Sequence, residues 1–368
     1  MQHLRSLVGA CLSAGFLAAC AGGSNVVSSE PPSIARLPVV LHSAAAGSPE
    51  APTANTHLYV ANRGNNTVTV YARSIHNKKV LRTISKGIND PEALAVGNLK
   101  FLYVANFDAD TVTEYASGKT SVLRTISQGV KGPAALAVDS FGEVFVANRS
   151  ASPSGNVTVY GRDKTKVLRT ISKGVNRPVA LAFDSFGNLD VANHGGGVSG
   201  FGTVTVYAPG KTSVLRTISQ GVDAPHALAV DSSGNLYVAN FGGSGYGTTV
   251  TVYGPRSTKV LRTISQGVDG PDALAFDSSG DLYVANFATV ASNVTVYAPG
   301  STKVLRTISQ GVSDPSALTI GPSDYLYVAN TDPASPASTV TEYAPGKTSP
   351  VRTIFLGVSD PWALAIGP

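Results

Sequence analysis

The sequence predicts an all-β fold, a seven-bladed β-propeller of four-stranded antiparallel blades closed by pairing of the C-terminal strand with the N-terminal blade. Three observations carry this. First, charged residues make up only 14% of the chain while Gly and Pro number 38 and 22. No long apolar stretch keeps a helical period, and short Val, Ile, Thr and Tyr runs are cut by Gly, Pro, Asn and Asp, the makeup of strands and tight turns. Second, a phrase such as "SQGVDGPDALAFDSSGDLYVAN" (265–286) recurs in seven near-copies, with successive Val-Ala-Asn triplets 42 to 47 residues apart. That is the period of a propeller blade. Third, the repeat is cut out of phase at its ends, so a seventh blade is complete only if the two ends of the chain share it.

Each repeat holds four short apolar patches. An Ala-Leu patch (93–96 in the first full copy) is followed by one ending in Val-Ala-Asn (102–106), a "TVTVY"-like patch (111–115) and a "VLRTI"-like patch (122–126). Asp-Ser-x-Gly between the first and second patches is hairpin chemistry, with Gly supplying the positive φ. "APGKTS" or a relative turns the third strand into the fourth. The Gly-Lys-Thr at 118–120, 210–212 and 346–348 lacks the earlier Gly of a phosphate loop and precedes a strand, so it is a turn. The chain enters the repeat at Leu58 on a second-type strand and leaves it at Ala363–Ile366 on a first-type strand. One blade cannot bury both its faces; seven in a ring can, and closing the ring hides its edges.

The first 57 residues stand outside the repeat. "MQHLRSLVGACLSAGFLAAC" has one early Arg, an apolar stretch and small residues before Cys20, the pattern of an export signal. Leu17-Ala18-Ala19-Cys20 resembles the bacterial lipobox. The resemblance implies a signal peptide over 1–19, lipidation of Cys20 and, with Ala21 next, an outer-membrane destination. Residues 20–57, rich in Ala, Ser, Pro and Gly, read as a flexible tether, with a strand over 37–41 as the competing reading. The expected partner at this end is the membrane, through the lipid anchor. A net charge of +5 without any Lys/Arg-rich run gives no reason to expect a nucleic-acid partner.

The phrase Pro-x-Ala-Leu-Ala-Val-Asp-Ser-x-Gly-x-Leu-Tyr-Val-Ala-Asn resembles the NHL and YVTN-type propeller repeats from residue 58 to the end. The resemblance implies the fold; propellers of this kind include lactonases, lyases and plain binding proteins.

Positions constant through the repeat are expected to be structural. The fourth-strand Arg82, Arg124, Arg169, Arg216, Arg262, Arg306 and Arg352 read as charge placed on an outer edge to discourage edge pairing. The aromatic residues Tyr59, Tyr103, Phe145, Tyr237, Tyr283 and Tyr327 should pack between blades, with Asp190 taking that place in the fourth repeat.

Variation inside a constant frame marks a candidate site. The residue after the constant Pro differs in every repeat: Glu92, Ala134, Val179, His226, Asp272, Ser316 and Trp362. Each opens an innermost strand and so belongs near one mouth of the central channel, on the face here named the top. His226, Asp272, Ser316, Trp362 and Glu92 come from five consecutive blades and form the expected ligand-binding arc. Top loops add His194, Phe241 and Tyr246 as contacts, within a second variable layer of Arg63, Phe107, Arg149, His194, Phe241, Phe287 and Thr331. A Ser-His-Asp triad fails because the ring puts Asp272 between His226 and Ser316. "PDALAFDSSG" (271–280) resembles a motif of gluconolactonase-type propellers, which implies a metal site with Asp272 as ligand, Glu92 as a second carboxylate and His226 as a nitrogen, for Ca2+ or another divalent cation.

Three functions are expected: a ligand- or protein-binding or scaffold module at the cell envelope, taking an envelope protein, peptide or carbohydrate; a metal-dependent lactonase-like hydrolase or lyase; and a structural or adhesive surface protein.

Overall fold

The computed structural model describes residues 56–72, 79–97, 100–195, 202–242, 248–287, 292–331 and 338–368. The expected signal, the Cys20 anchor, the tether, the strand over 37–41 and Tyr246 lie outside the described residues.

Seven four-stranded antiparallel sheets follow one another as blades. Blade 2 is typical, with strands Pro91–Val96, Leu102–Asn106, Thr111–Tyr115 and Arg124–Ile126 from the centre outwards. The innermost strands pack against one another in a closed cycle. In blade 1 the inner strand is the C-terminal Pro361–Gly367, which pairs antiparallel with His57–Asn62, setting His57 opposite Gly367 and Val60 opposite Leu364. Chain closure thus follows the expected scheme, with the N-terminal strand one residue longer. The Tyr59 hydroxyl adds a 2.7 Å bond to the Pro368 carbonyl.

A repeated tyrosine and a repeated glycine shape the join between each blade and its entry loop. The Tyr ending every third strand is fully buried, and its hydroxyl donates to a carbonyl of the connection arriving from the preceding blade: Tyr115 to Lys86 at 2.6 Å, Tyr253 to Gln220 at 2.6 Å, and Tyr71 across the closure to Leu356 at 2.7 Å. The same connections turn at a glycine with positive φ, such as Gly87 at 79°, where an added Cβ would meet Val122 at 2.8 Å. Only glycine fits there.

The core lies between blades, where alternate Val, Ala, Leu and Ile side chains of adjoining sheets interdigitate. Second-strand aromatics pack against the next blade's inner strand as expected, with Phe145 edge-on to Phe183 at 5.1 Å and Tyr237 edge-on to Phe276 at 5.0 Å.

The outer strands depart from expectation. Their exposed positions are a Leu and a Thr, the Leu being Leu81, Leu168, Leu215, Leu261 and Leu305, whereas the arginines are half-buried and Arg352 is buried. Strand alternation turns guanidinium groups toward their own blade, while Arg124 also pairs with Asp163 of blade 3 and Arg352 also reaches the Ala72 carbonyl of blade 1. Arg169 pairs with Glu143 at 2.5 Å, Arg124 with Glu114 at 3.1 Å and Arg352 with the fully buried Glu342 at 2.6 Å. These arginines fasten the fourth strand to its blade rather than presenting charge along an edge.

Candidate functional site

Three successive local features build the channel mouth. The residue before each inner-strand Pro has positive φ in all seven blades, from 43° at Ala224 to 59° at Gly270, with Asp90, Gly132, Arg177, Asp314 and Asp360 between. Proline then fixes its own φ and withholds an N–H from the sheet. Next comes the variable residue, and there the pairing register slips, between Pro225 and Ala227 in blade 5 and equivalently in the others. The variable residue is therefore a β-bulge. A bulge turns its side chain out of the regular alternation, which frees this one position to change while the flanking residues stay locked.

The turn is held by the last residue of the second strand. Asn62, Asn106, Asn148, Asn193, Asn240, Asn286 and Asn330 are buried, and each accepts a hydrogen bond from the backbone N–H two residues before the Pro, at 2.9 to 3.1 Å. Their amide groups donate to Thr hydroxyls of the third strand, as Asn240 does to Thr251 at 3.1 Å. Sequence reasoning gave these asparagines no role. The signal was their fixed distance from an equally constant Pro.

The polar and aromatic variable side chains bond across blade boundaries. His226 Nδ1 and Asp272 Oδ1 are 2.8 Å apart, joining blades 5 and 6. The Ser316 hydroxyl donates to the Pro361 carbonyl at 2.6 Å, joining blades 7 and 1. Trp362 Nε1 donates to Glu92 Oε2 at 3.0 Å, joining blades 1 and 2. Ala134 and Val179, both buried, fill the remaining arc. The five polar and aromatic residues of the expected arc thus form a collar of clasps, and only Trp362 keeps appreciable exposure.

Burial sets the state of the first clasp. It pushes the Asp272 carboxyl well above the ordinary carboxylate range and the His226 imidazole well below its usual value, helped by His194 and Arg149. Both shifts favour a neutral acid bonded to a neutral imidazole. The His226 ring is also stacked on Phe241, with centroids 4.2 Å apart and planes 8° from parallel, and lies 5.6 Å from His194. Burial lowers the His194 pKa too, with Arg149 and Arg177 adding to the effect.

Of the expected metal ligands, His226 and Asp272 meet each other at 2.8 Å, while Glu92 meets Trp362. Among the described residues no three His, Cys, Asp or Glu side chains form a group able to hold a metal ion.

Solvent meets the second layer instead. Around the rim the residues after the seven Asn are Arg63, Phe107, Arg149, His194, Phe241, Phe287 and Thr331, all partly or fully exposed. Arg63 lies over the Trp362 ring at 4.2 Å and pairs with Asp90 at 2.9 Å, joining the collar to the rim. His194 and Phe241, expected as top-loop contacts, do sit beside His226. Arg149 acts on the same imidazole, its charge helping to lower the His226 pKa.

A family model described as lactonase, 7-bladed beta-propeller, matches residues 50–139, from just ahead of the first strand to the innermost strand of blade 3. No curated protein matches the chain. Among solved structures, hydrazine synthase of Kuenenia stuttgartiensis superposes with a TM-score of 0.67 at 16% identity, over 79% of this chain and 92% of that one. A protein of unknown function from Desulfotomaculum acetoxidans does so with a TM-score of 0.67 at 13% identity, over 85% of this chain and 99% of that one. At these identities the likeness is one of fold.

Proposed function

We propose that this protein is an exported, lipid-anchored binding or scaffold module of the cell envelope, and that it engages a peptide or carbohydrate ligand through its top rim. One observation carries the reading. Within a repeat whose Asn, Pro, Gly and Tyr positions hold constant, variation gathers at the top, where guanidinium, imidazole and aryl groups ring a rigid collar. Aryl and guanidinium faces supply stacking area at little cost in conformational entropy, and the clasps beneath keep them in place. The expected anchor at Cys20 would hold the rim off an outer membrane on a tether of some forty residues.

The test is capture by the purified propeller on peptide and glycan arrays, repeated with Trp362→Ala and with Phe241→Ala. Binding that falls about tenfold or more in both variants and persists in chelator supports the reading. Binding indifferent to both substitutions refutes it. Location is tested by labelling with radioactive palmitate: Cys20→Ser should abolish incorporation.

A lactone hydrolase is the second reading, favoured by the family-model match and by a buried His226–Asp272 pair able to move a proton. It predicts hydrolysis of a sugar lactone that is lost in His226→Gln. The absence of turnover in the intact protein would remove it.

A further inference from the structure

Blade 4 breaks the repeat at one buried position. Six blades carry an aromatic residue two places before the Ala of Val-Ala-Asn, and blade 4 carries Asp190. In blades 5 and 6 the matching Tyr hydroxyls complete a fixed arrangement. Tyr237 accepts from Arg262 at 2.8 Å and donates to Asp231 at 3.2 Å; Tyr283 accepts from Arg306 at 2.8 Å and donates to Asp277 at 3.1 Å. Blade 4 keeps the two outer members, Arg216 and Asp184, 3.6 Å apart, without the hydroxyl between them. Asp190 does not replace it: its side chain is 1% exposed, and its Oδ1 has no hydrogen-bond partner among the described residues. Arg216 Nε lacks one too, as Arg262 Nε and Arg306 Nε do in blades 5 and 6.

A surface cavity of about 570 Å³ opens on this guanidinium, lined by Phe186, Asn188, Leu215, Arg216 and, from blade 5, Arg256. Phe186 and Leu215 are half-exposed, and Arg256 lies over the Phe186 ring at 4.0 Å. The cavity therefore has an apolar wall, a cationic roof and the Arg216 guanidinium in its lining, with the Asp184 carboxylate 3.6 Å from Arg216 and accepting from Asn188 at 2.8 Å.

We propose that this cavity is a binding site for a phenolic group. The ligand's hydroxyl enters between Arg216 and Asp184, accepting from the guanidinium and donating to the carboxylate as Tyr237 and Tyr283 do. Its ring lies outward against Phe186 and Leu215, under Arg256. Burial holds Asp190 mostly protonated near neutrality, with its pKa pushed up to about 8, so no second anion competes for Arg216. The site lies at the hairpin end of the blades, opposite the top rim, and stands or falls independently of what the rim binds.

The probe is p-cresol, with toluene as its hydroxyl-free match, followed by ligand-observed NMR and thermal shift on the whole propeller. Saturable binding of p-cresol, at least about tenfold tighter than toluene, is expected. Asp190→Tyr should place the protein's own hydroxyl between Arg216 and Asp184, raise the Tm and abolish p-cresol binding. Arg216→Gln should weaken it about tenfold or more, whereas Arg262→Gln, the same change in blade 5, should leave it intact. Absence of p-cresol binding, equal binding of toluene, or full binding by a folded Asp190→Tyr protein would each overturn the proposal.

Discussion

The top of each blade holds the least and the most variable positions of the molecule within a few residues of each other. The Asn closing the second strand is the same in all seven blades and buried in each; the bulged residue after the Pro differs in all seven and is buried in six. Burial therefore does not separate them. What does is the bonding. Each Asn satisfies backbone groups that every copy must satisfy to make its turn, such as the Asp223 N–H met by Asn240. The bulged residue has left the sheet's regular pairing, and its partner is another variable side chain or a single carbonyl. A position can drift, or be selected for a ligand, only where the sheet does not depend on it.

The most severe way to break this comparison is to remove the strand that carries a bulge and closes the ring. Deleting residues 359–368 takes away the partner of His57–Asn62, the Trp362–Glu92 and Ser316–Pro361 clasps and the Tyr59–Pro368 bond. Calorimetry is expected to show a Tm lower by about 10 °C or more, or loss of the single cooperative transition. An unchanged transition would mean that the ring is not closed in this way.

A paired substitution compares the two positions directly. Asn240→Ala leaves the Asp223 N–H, the Gly221 carbonyl and two Thr hydroxyls without their partner, at a cost of about 2–4 kcal/mol in urea unfolding. Ser316→Ala removes a principal bond to a carbonyl and costs about 1 kcal/mol. Equal costs would erase the distinction between frame and collar.

The blade architecture was legible in the sequence because it is stated seven times. Strand alternation and turn glycines follow from local chemistry that a single copy displays, and the out-of-phase termini from comparing the two ends of the repeat. The collar was legible in part. Position predicted that His226, Asp272, Ser316, Trp362 and Glu92 would ring one mouth, but not that four of them would bond in pairs and Ser316 to a neighbouring carbonyl, because whether neighbours on a ring point inward or sideways depends on the bulge. A bulge leaves no composition signature beyond the Pro before it. The arginines show the same limit from the other side. Their charge suggested solvent, while the alternation of "VLRTI" already put Leu and Arg on opposite faces, and the carboxylates that receive the arginines come from the first hairpin of the blade or from the facing position of the adjacent third strand.

Asp190 sharpens the comparison at a point where the frame itself varies. Its folded pKa of about 8 stands above the unfolded value, so the folded protein holds an extra proton between about pH 4 and pH 8. Stability must therefore fall as pH rises through that window and level off above it. Between pH 5 and pH 8 the wild type should lose up to about 4 kcal/mol through this group, a loss absent from Asp190→Asn. Urea unfolding of both proteins at the two pH values measures it, and parallel curves would show that position 190 carries no buried acid.

The smallest effect concerns the hinge between the two kinds of position. The residue before each Pro has positive φ, and two blades meet this with glycine, at Gly132 and Gly270. Ala224 does so with a Cβ at φ 43°, a conformation that costs an L-residue about 1–2 kcal/mol. Ala224→Gly relieves that strain, while the freer unfolded chain takes back about 0.5–1 kcal/mol. The net expectation is a stabilisation of about 0.5–1 kcal/mol, read as a shifted urea midpoint with an unchanged slope. The reverse change, Gly270→Ala, would bring a Cβ within 2.6 Å of the Phe287 carbonyl oxygen and should destabilise the fold by more than Ala224→Gly gains. If both substitutions were neutral, the left-handed turn would not be what forces the next residue but one out of the sheet, and the freedom of the collar would need another cause.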